Sequence, residues 1–145
     1  MKIRIASAAL LLSLFISCTD DNGTTADLVQ QEISVELNLV KMSGQIRGSE
    51  TTGEDMSWQE TYILGSEMRF KKIRKTDEGS STSEGKFDIV MINSDKYLKF
   101  IHDADSELVG NCTGDKIELL KYTSSDSVES TWNACDGPGL MYTFN

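Results

Sequence analysis

The chain has 145 residues, with 14 Lys and Arg against 23 Asp and Glu, for a formal net charge of −9. That balance argues against a nucleic-acid binder, whose affinity needs clustered Lys and Arg, and against docking on anionic lipid through the domain surface. The length suits one domain around one core, and a single histidine with three cysteines leaves little material for a zinc site or a catalytic triad.

In chain order, Met1 to Ser17 has the layout of an export signal. Lys2 and Arg4 form a positive start, and Ile5 to Ile16 is an apolar run broken only by Ser7 and Ser13. The run is shorter than the ~20 apolar residues of a membrane-spanning helix, and no other stretch approaches it, so no transmembrane helix is expected in the mature chain. Phe15-Ile16-Ser17-Cys18 resembles a bacterial lipoprotein box, with Phe15 where Leu is usual. The resemblance implies cleavage before Cys18 and acylation of its sulfur, by palmitate among other chains, giving a membrane anchor worth roughly 0.8 kcal/mol per buried CH₂. An ordinary signal peptide that ends on a cysteine is the alternative. The expected division is a signal peptide over 1–17, lipid anchor and tether over 18–34, and a domain over 35–145. Thr19 to Thr25 has no apolar residue to pack. Ala26 to Ile33 could form a turn or two of helix, with Asp27 as cap.

From Val35 onward the pattern is of short β runs between turn residues. Val35–Met42 is the first, followed by a polar loop over Gly48–Asp55. Ser57–Leu64 puts Trp58, Glu60, Tyr62 and Leu64 on one face. Glu67–Lys75 puts Met68 and Phe70 inward and leaves Arg69, Lys71 and Lys72 largely outward. After a loop over Thr76–Ser81, Thr82–Ile92 aligns Phe87, Ile89 and Met91, with Gly85 marking a bend or bulge. Lys96–His102 turns Leu98 and Phe100 inward. Ser106–Cys112 and Lys116–Tyr122 are the sixth and seventh strands. Ser127–Ala134 aligns Val128, Ser130, Trp132 and Ala134, and Leu140–Asn145 aligns Leu140, Tyr142 and Phe144. The fold class is therefore all-β, an antiparallel meander of about 8–9 strands, each burying one face. Closure into a barrel would remove the edges.

Once Cys18 is assigned to lipid, Cys112 and Cys135 remain as an even pair in an exported chain, and a disulfide is expected. Two separate thiols are the alternative. In a meander the sixth and eighth strands are about 10 Å apart, so a bridge requires both cysteines to lean over the seventh. His102 reads as a strand-end histidine beside a polar turn. Asp103, Asp105 and Glu107 alternate like calcium ligands, but Leu108 stands where an EF-hand loop needs Gly, so a solvated turn is the preferred reading. With no Gly-x-Ser-x-Gly and no phosphate loop, neither catalytic residues nor a cofactor or metal are assigned, and the chain reads as a non-enzyme. Asp126-Ser127-Val128 matches the O-glycosylation triplet of exported Bacteroidetes proteins, a three-residue pattern that recurs by chance.

The segments Trp58–Leu64, Met68–Arg74, Glu84–Phe87, Leu108–Cys112 and Thr131–Gly139 together resemble the lipocalin-like lipoproteins of Bacteroidetes. The resemblance covers roughly Val35 to Asn145. It implies a lipocalin-like barrel that holds a small apolar or amphipathic ligand. The aromatic residues Trp58, Tyr62, Phe70, Phe87, Phe100, Trp132 and Tyr142 could line an apolar pocket, with a filled core as the preferred alternative in a domain this short. The first strand reads Leu37-Asn38-Leu39 in place of the Gly-x-Trp of typical lipocalins, so the likeness does not extend to their plugged floor. Thr19-Asp20-Asp21 resembles the acidic signals that send some of these lipoproteins to the cell surface, so the expected location is the outer membrane. The second reading is a module that binds protein or glycan through its outer face, around a filled core. A filled barrel is the observation that would favour it.

Overall fold

The computed structural model describes residues 34–145; the signal peptide expected over 1–17, Cys18, the expected tether up to residue 33 and the helical turns expected over Ala26–Ile33 lie outside the described residues. Nine strands are present: β1 (Val35–Ser43), β2 (Thr51–Thr52), β3 (Gln59–Leu64), β4 (Arg69–Thr76), β5 (Gly79–Ile92), β6 (Asp95–His102), β7 (Ile117–Tyr122), β8 (Ser127–Ser130) and β9 (Gly139–Phe144). β1 and β3 to β9 form an antiparallel meander, and β9 returns to pair with β1. The result is a closed eight-stranded barrel, consistent with a lipocalin-like fold. β2 adds a two-residue ladder on β1. A register shift between Leu39 and Lys41 bends β1 where it must serve β9 as well as β2 and β3.

The connections differ at the two ends. At one end the turns are short: Gly65–Met68, Asn93-Ser94 and Thr123–Asp126. Asn93 and Ser94 both have positive φ, the geometry that lets two residues join Ile92 to its partner Asp95 without splaying the strands. β1 begins and β9 finishes at this turn end. The opposite, loop end carries the long connections 44–58, 103–116 and 131–138, besides the tight β4–β5 turn.

Alternation places Leu37 and Leu39 of β1, Tyr62 and Leu64 of β3, Phe70 of β4, Leu98 and Phe100 of β6, Leu120 of β7, Val128 of β8, and Leu140 and Tyr142 of β9 in the interior. Four rings meet there: Tyr62 and Phe100 at 4.6 Å between centroids, Phe70 and Phe100 at 4.8 Å, and Tyr62 and Tyr142 at 5.4 Å.

Several sequence expectations need correction. Ser106–Cys112 is not a strand; it is part of the 103–116 loop, which folds back so that Leu108 and Gly110 are buried. The expected strand Ser127–Ala134 stops at Ser130, and Trp132–Cys135 is a 3-10 turn with Ala134 exposed. Met68 is exposed, because Glu67 and Met68 take left-handed backbone angles that reverse the chain before β4. Ile89 and Met91 share the inward parity of Phe87 but are exposed, because β5 outruns its neighbour: its pairing with β4 ends at Lys86. Gly85 is not a bulge. It pairs in register with Phe70 and His102, and a Cβ there would lie 2.1 Å from the Ile101 carbonyl and 2.7 Å from the Phe70 ring. The glycine is needed for close approach. Lys72, expected outward, is fully buried in the barrel.

Candidate functional site

The inward rows of β3, β4, β6 and β7 carry Glu60, Lys72, His102 and Glu118, each almost fully buried. Isolated charges in such a place would cost several kcal/mol each, so their partners decide whether the fold tolerates them. Lys72 Nζ donates to Glu118 Oε1 at 3.0 Å and to the Leu108 carbonyl at 2.6 Å, and it stands 3.1 Å from Glu60 Oε1. Glu60 also accepts from Arg74 Nε and from the Tyr142 hydroxyl, each at 2.6 Å. Glu118 accepts the Gly110 N–H at 3.2 Å, which ties the 103–116 loop to the interior. The two carboxylates thus face one ammonium and one guanidinium.

Burial on its own would raise the Glu118 carboxyl. The Lys72 charge and hydrogen bonds from His102 and Lys72 outweigh it and hold the group below its ordinary value. Burial, reinforced by the nearby carboxylates, pushes the Tyr62 and Tyr142 hydroxyls well above theirs.

His102 ends β6 beside the 103–116 loop, as the sequence reading had it, but its ring is turned inward and buried. Its Nε2 faces Glu118 Oε2 at 3.3 Å and its Nδ1 faces Ser83 Oγ at 2.7 Å. Ser83, His102 and Glu118 stand in the order of a hydroxyl–imidazole–carboxylate relay. Glu118 is already held by Lys72, however, and neither Ser83 nor His102 lines any of the depressions described below. The arrangement satisfies buried polar groups.

Those depressions lie on the outside. Three gather at the loop end. One of about 420 Å³ runs from Gly53 past Trp58 to Asp77. A second of about 360 Å³ lies between Met42, Trp58 and Pro138. A smaller one lies among Ser43, Asn133 and Gly139. The fourth is on the outer wall of β1, β3 and β4, over Ile63 and Ile73. Trp58 lines both larger depressions. The Arg74 guanidinium lies 4.5 Å from the centre of its ring, within cation–π range. Trp58 Nε1 and Arg74 Nη2 are buried donors without a hydrogen-bond partner.

Of the seven aromatic residues weighed as pocket lining or core, Tyr62, Phe70, Phe100 and Tyr142 are buried together in the interior. Trp58, Phe87 and Trp132 are partly buried and pack against that core. Trp58 alone among them lines a described depression. Cys112 and Cys135 are bonded, with Cα atoms 5.6 Å apart, both in loop-end connections as the spacing argument required. Asp103 and Asp105 are exposed and pair with Arg69 and Lys116. Among the described residues no cluster of three or more His, Cys, Asp or Glu is disposed to hold a metal ion.

Sequence reasoning placed Glu60 inward without giving it a role, and it missed Lys72, Ser83 and Glu118. The signal was parity: Lys72 follows Phe70, and Glu118 precedes Leu120, by two residues. No family model, curated protein or solved structure matches the chain.

Proposed function

We propose that this protein is a non-enzymatic, lipid-anchored binding module of the lipocalin-like lipoprotein type, which holds a polar partner, a peptide segment or a glycan, at its loop end. The observation that carries the reading is the contrast between inside and outside. The interior is occupied by the Tyr62–Phe70–Phe100–Tyr142 rings and the Lys72 network, whereas the two larger of the described depressions meet at Trp58 on the rim. Trp58 offers a flat apolar face, and Gln59, Lys75, Thr76 and Asp77 offer hydrogen-bonding groups beside it. The same contrast weighs against a small apolar ligand inside the barrel. Anchoring through Cys18 and an outer-membrane location rest on the sequence of the first 21 residues.

Both tryptophans belong to loop-end features, so intrinsic fluorescence and amide chemical shifts can follow binding. Titration with oligosaccharide and peptide panels is expected to shift residues 44–58 and 131–139. Trp58→Ala should weaken the interaction by about tenfold or more. If a long-chain fatty acid instead shifts Tyr62, Phe70 and Phe100 while the loops stay silent, the site is the barrel interior and the proposal is wrong.

A further inference from the structure

The turn end carries an unusual share of exposed apolar side chains. Met91 is 65% exposed, Ile89 48%, Met68 44%, and Ile92 and Val35 39% each. They come from three neighbouring places. Val35 opens β1 opposite Leu64 of β3, Met68 ends the β3–β4 turn, and the other three lie on β5 beyond its last pairing with β4. Behind them Tyr122 and Phe144, both half-buried, stack across the same mouth at 5.9 Å, and Lys96 Nζ lies 4.2 Å from the Tyr122 ring. The charged neighbours are mixed: Glu67, Asp88 and Asp126 beside Lys96 and Lys86. At 39–65% exposure, these side chains form a projecting surface.

We propose that this end rests on a neutral phospholipid surface, with Met91, Ile89, Ile92 and Met68 entering the headgroup–acyl boundary. The orientation rests on the anchoring read from Cys18. The chain reaches the barrel at Val35, at this same end, and the apolar run and Cys18 lie upstream of it. An anchor upstream of Val35 makes the turn end the point where the chain from the bilayer enters the barrel. The apolar side chains there supply the contact that would orient it, with the loop end and Trp58 at the far ends of the strands. Apolar insertion is compatible with the acidic chain, provided the lipid is zwitterionic.

The test uses the chain from Thr19 with an oligohistidine in place of the lipid, held on phosphatidylcholine vesicles that contain a nickel-chelating lipid. Hydrogen exchange should slow in residues 66–68 and 87–98 when vesicles are present and stay unchanged in 44–58. Replacing Ile89 and Met91 together by Asp should abolish that protection and lower flotation of the untagged chain with phosphatidylcholine vesicles by about tenfold or more. Ile46→Asp, at an 80% exposed loop-end position, should change neither. Unchanged exchange in 87–98 on the vesicles overturns the proposal. So does protection of 87–98 that rises with protein concentration in the absence of lipid, which would mean that a second copy covers β5. Acylation of Cys18 is read separately, from the intact mass of the membrane-extracted chain. Its absence would remove the anchoring reading and leave the vesicle result to be judged by itself.

Discussion

Toward the loop end, a group of interior side chains is charged and its partners are fixed: Lys72 between Glu60 and Glu118, Arg74 on Glu60, and Gly110 N–H on Glu118. At the turn end they are apolar and increasingly exposed, from Leu98 at 1% to Ile89 at 48% and Met91 at 65%. One barrel therefore ends in two ways. The loop end is sealed by a folded-back connection and a disulfide, so whatever binds there meets the outer rim. The turn end is closed by short turns that leave apolar side chains unmatched. An exposed apolar group is tolerated by the fold with little penalty, whereas a buried unpaired charge is not. The two ends should therefore respond very differently to substitution.

The largest effect is expected at Lys72. Lys72→Met leaves Glu60 and Glu118 buried without their shared ammonium, and should cost about 3–5 kcal/mol in urea unfolding. Adding Glu118→Leu should recover part of that loss, because the second buried charge goes with the first. If Lys72→Met costs under ~1 kcal/mol, the interior admits water and the loop end is not sealed.

Removing the disulfide by Cys112→Ser with Cys135→Ser should cost about 3 kcal/mol in the chain-entropy model. The effect should be unequal: faster hydrogen exchange in 103–116 and 131–138, with the β5–β6 hairpin unchanged. Unchanged exchange in those two connections would show that the loop end is held by its charge network without help from the bond.

The charged interior also sets a pH window. Glu118 is held below its ordinary value, so its folded state favours the carboxylate. The associated stability is present above the ordinary value of about 4.3 and is lost as pH falls through the lower folded one. Tyr62 and Tyr142 are pushed up, so the folded state favours the neutral phenol. Their contribution is present below about 10 and is lost as pH rises through the folded values. Glu118→Gln should flatten the acid limb of stability against pH, and Tyr142→Phe the alkaline limb. Tyr142→Phe should also cost about 2 kcal/mol at neutral pH, because it removes a donor from the buried Glu60 carboxylate.

Much of the barrel was legible in the sequence because alternation is a local signal. The positions of Tyr62, Leu64, Phe70, Leu98, Phe100, Leu140 and Tyr142 follow from it directly. The network was not legible, because a charged residue at an inward position looks like an outward residue unless its partners on other strands are known. Lys72 lies between the inward Phe70 and Arg74 in the period of two, but its charge by itself argues for the outward face. Its partners Glu60 and Glu118 are 12 and 46 residues away, and only closure of the meander brings them together. The exposure of Ile89 and Met91 was hidden for the complementary reason. Their parity is inward, but the length of β5 relative to β4 decides where inward ends.

The smallest effect on stability is expected from the most drastic change of chemistry at the turn end. Met91 and Leu98 share the inward parity of paired strands, two registers apart along the β5–β6 ladder. Leu98→Asp would bury a charge beside Leu120 and should prevent folding. Met91→Asp exchanges an apolar group for a carboxylate at a position already open to solvent, and should change stability by no more than about 0.5 kcal/mol. Circular dichroism should show no folded state for Leu98→Asp, whereas urea unfolding of Met91→Asp should match that of the unsubstituted chain. If Met91→Asp destabilises as a core substitution does, the hairpin folds inward over the mouth and the projecting surface does not exist in solution. If it is neutral, Met91 contributes little to folding, and contact with another surface becomes the physical reason to look for at an apolar residue held there.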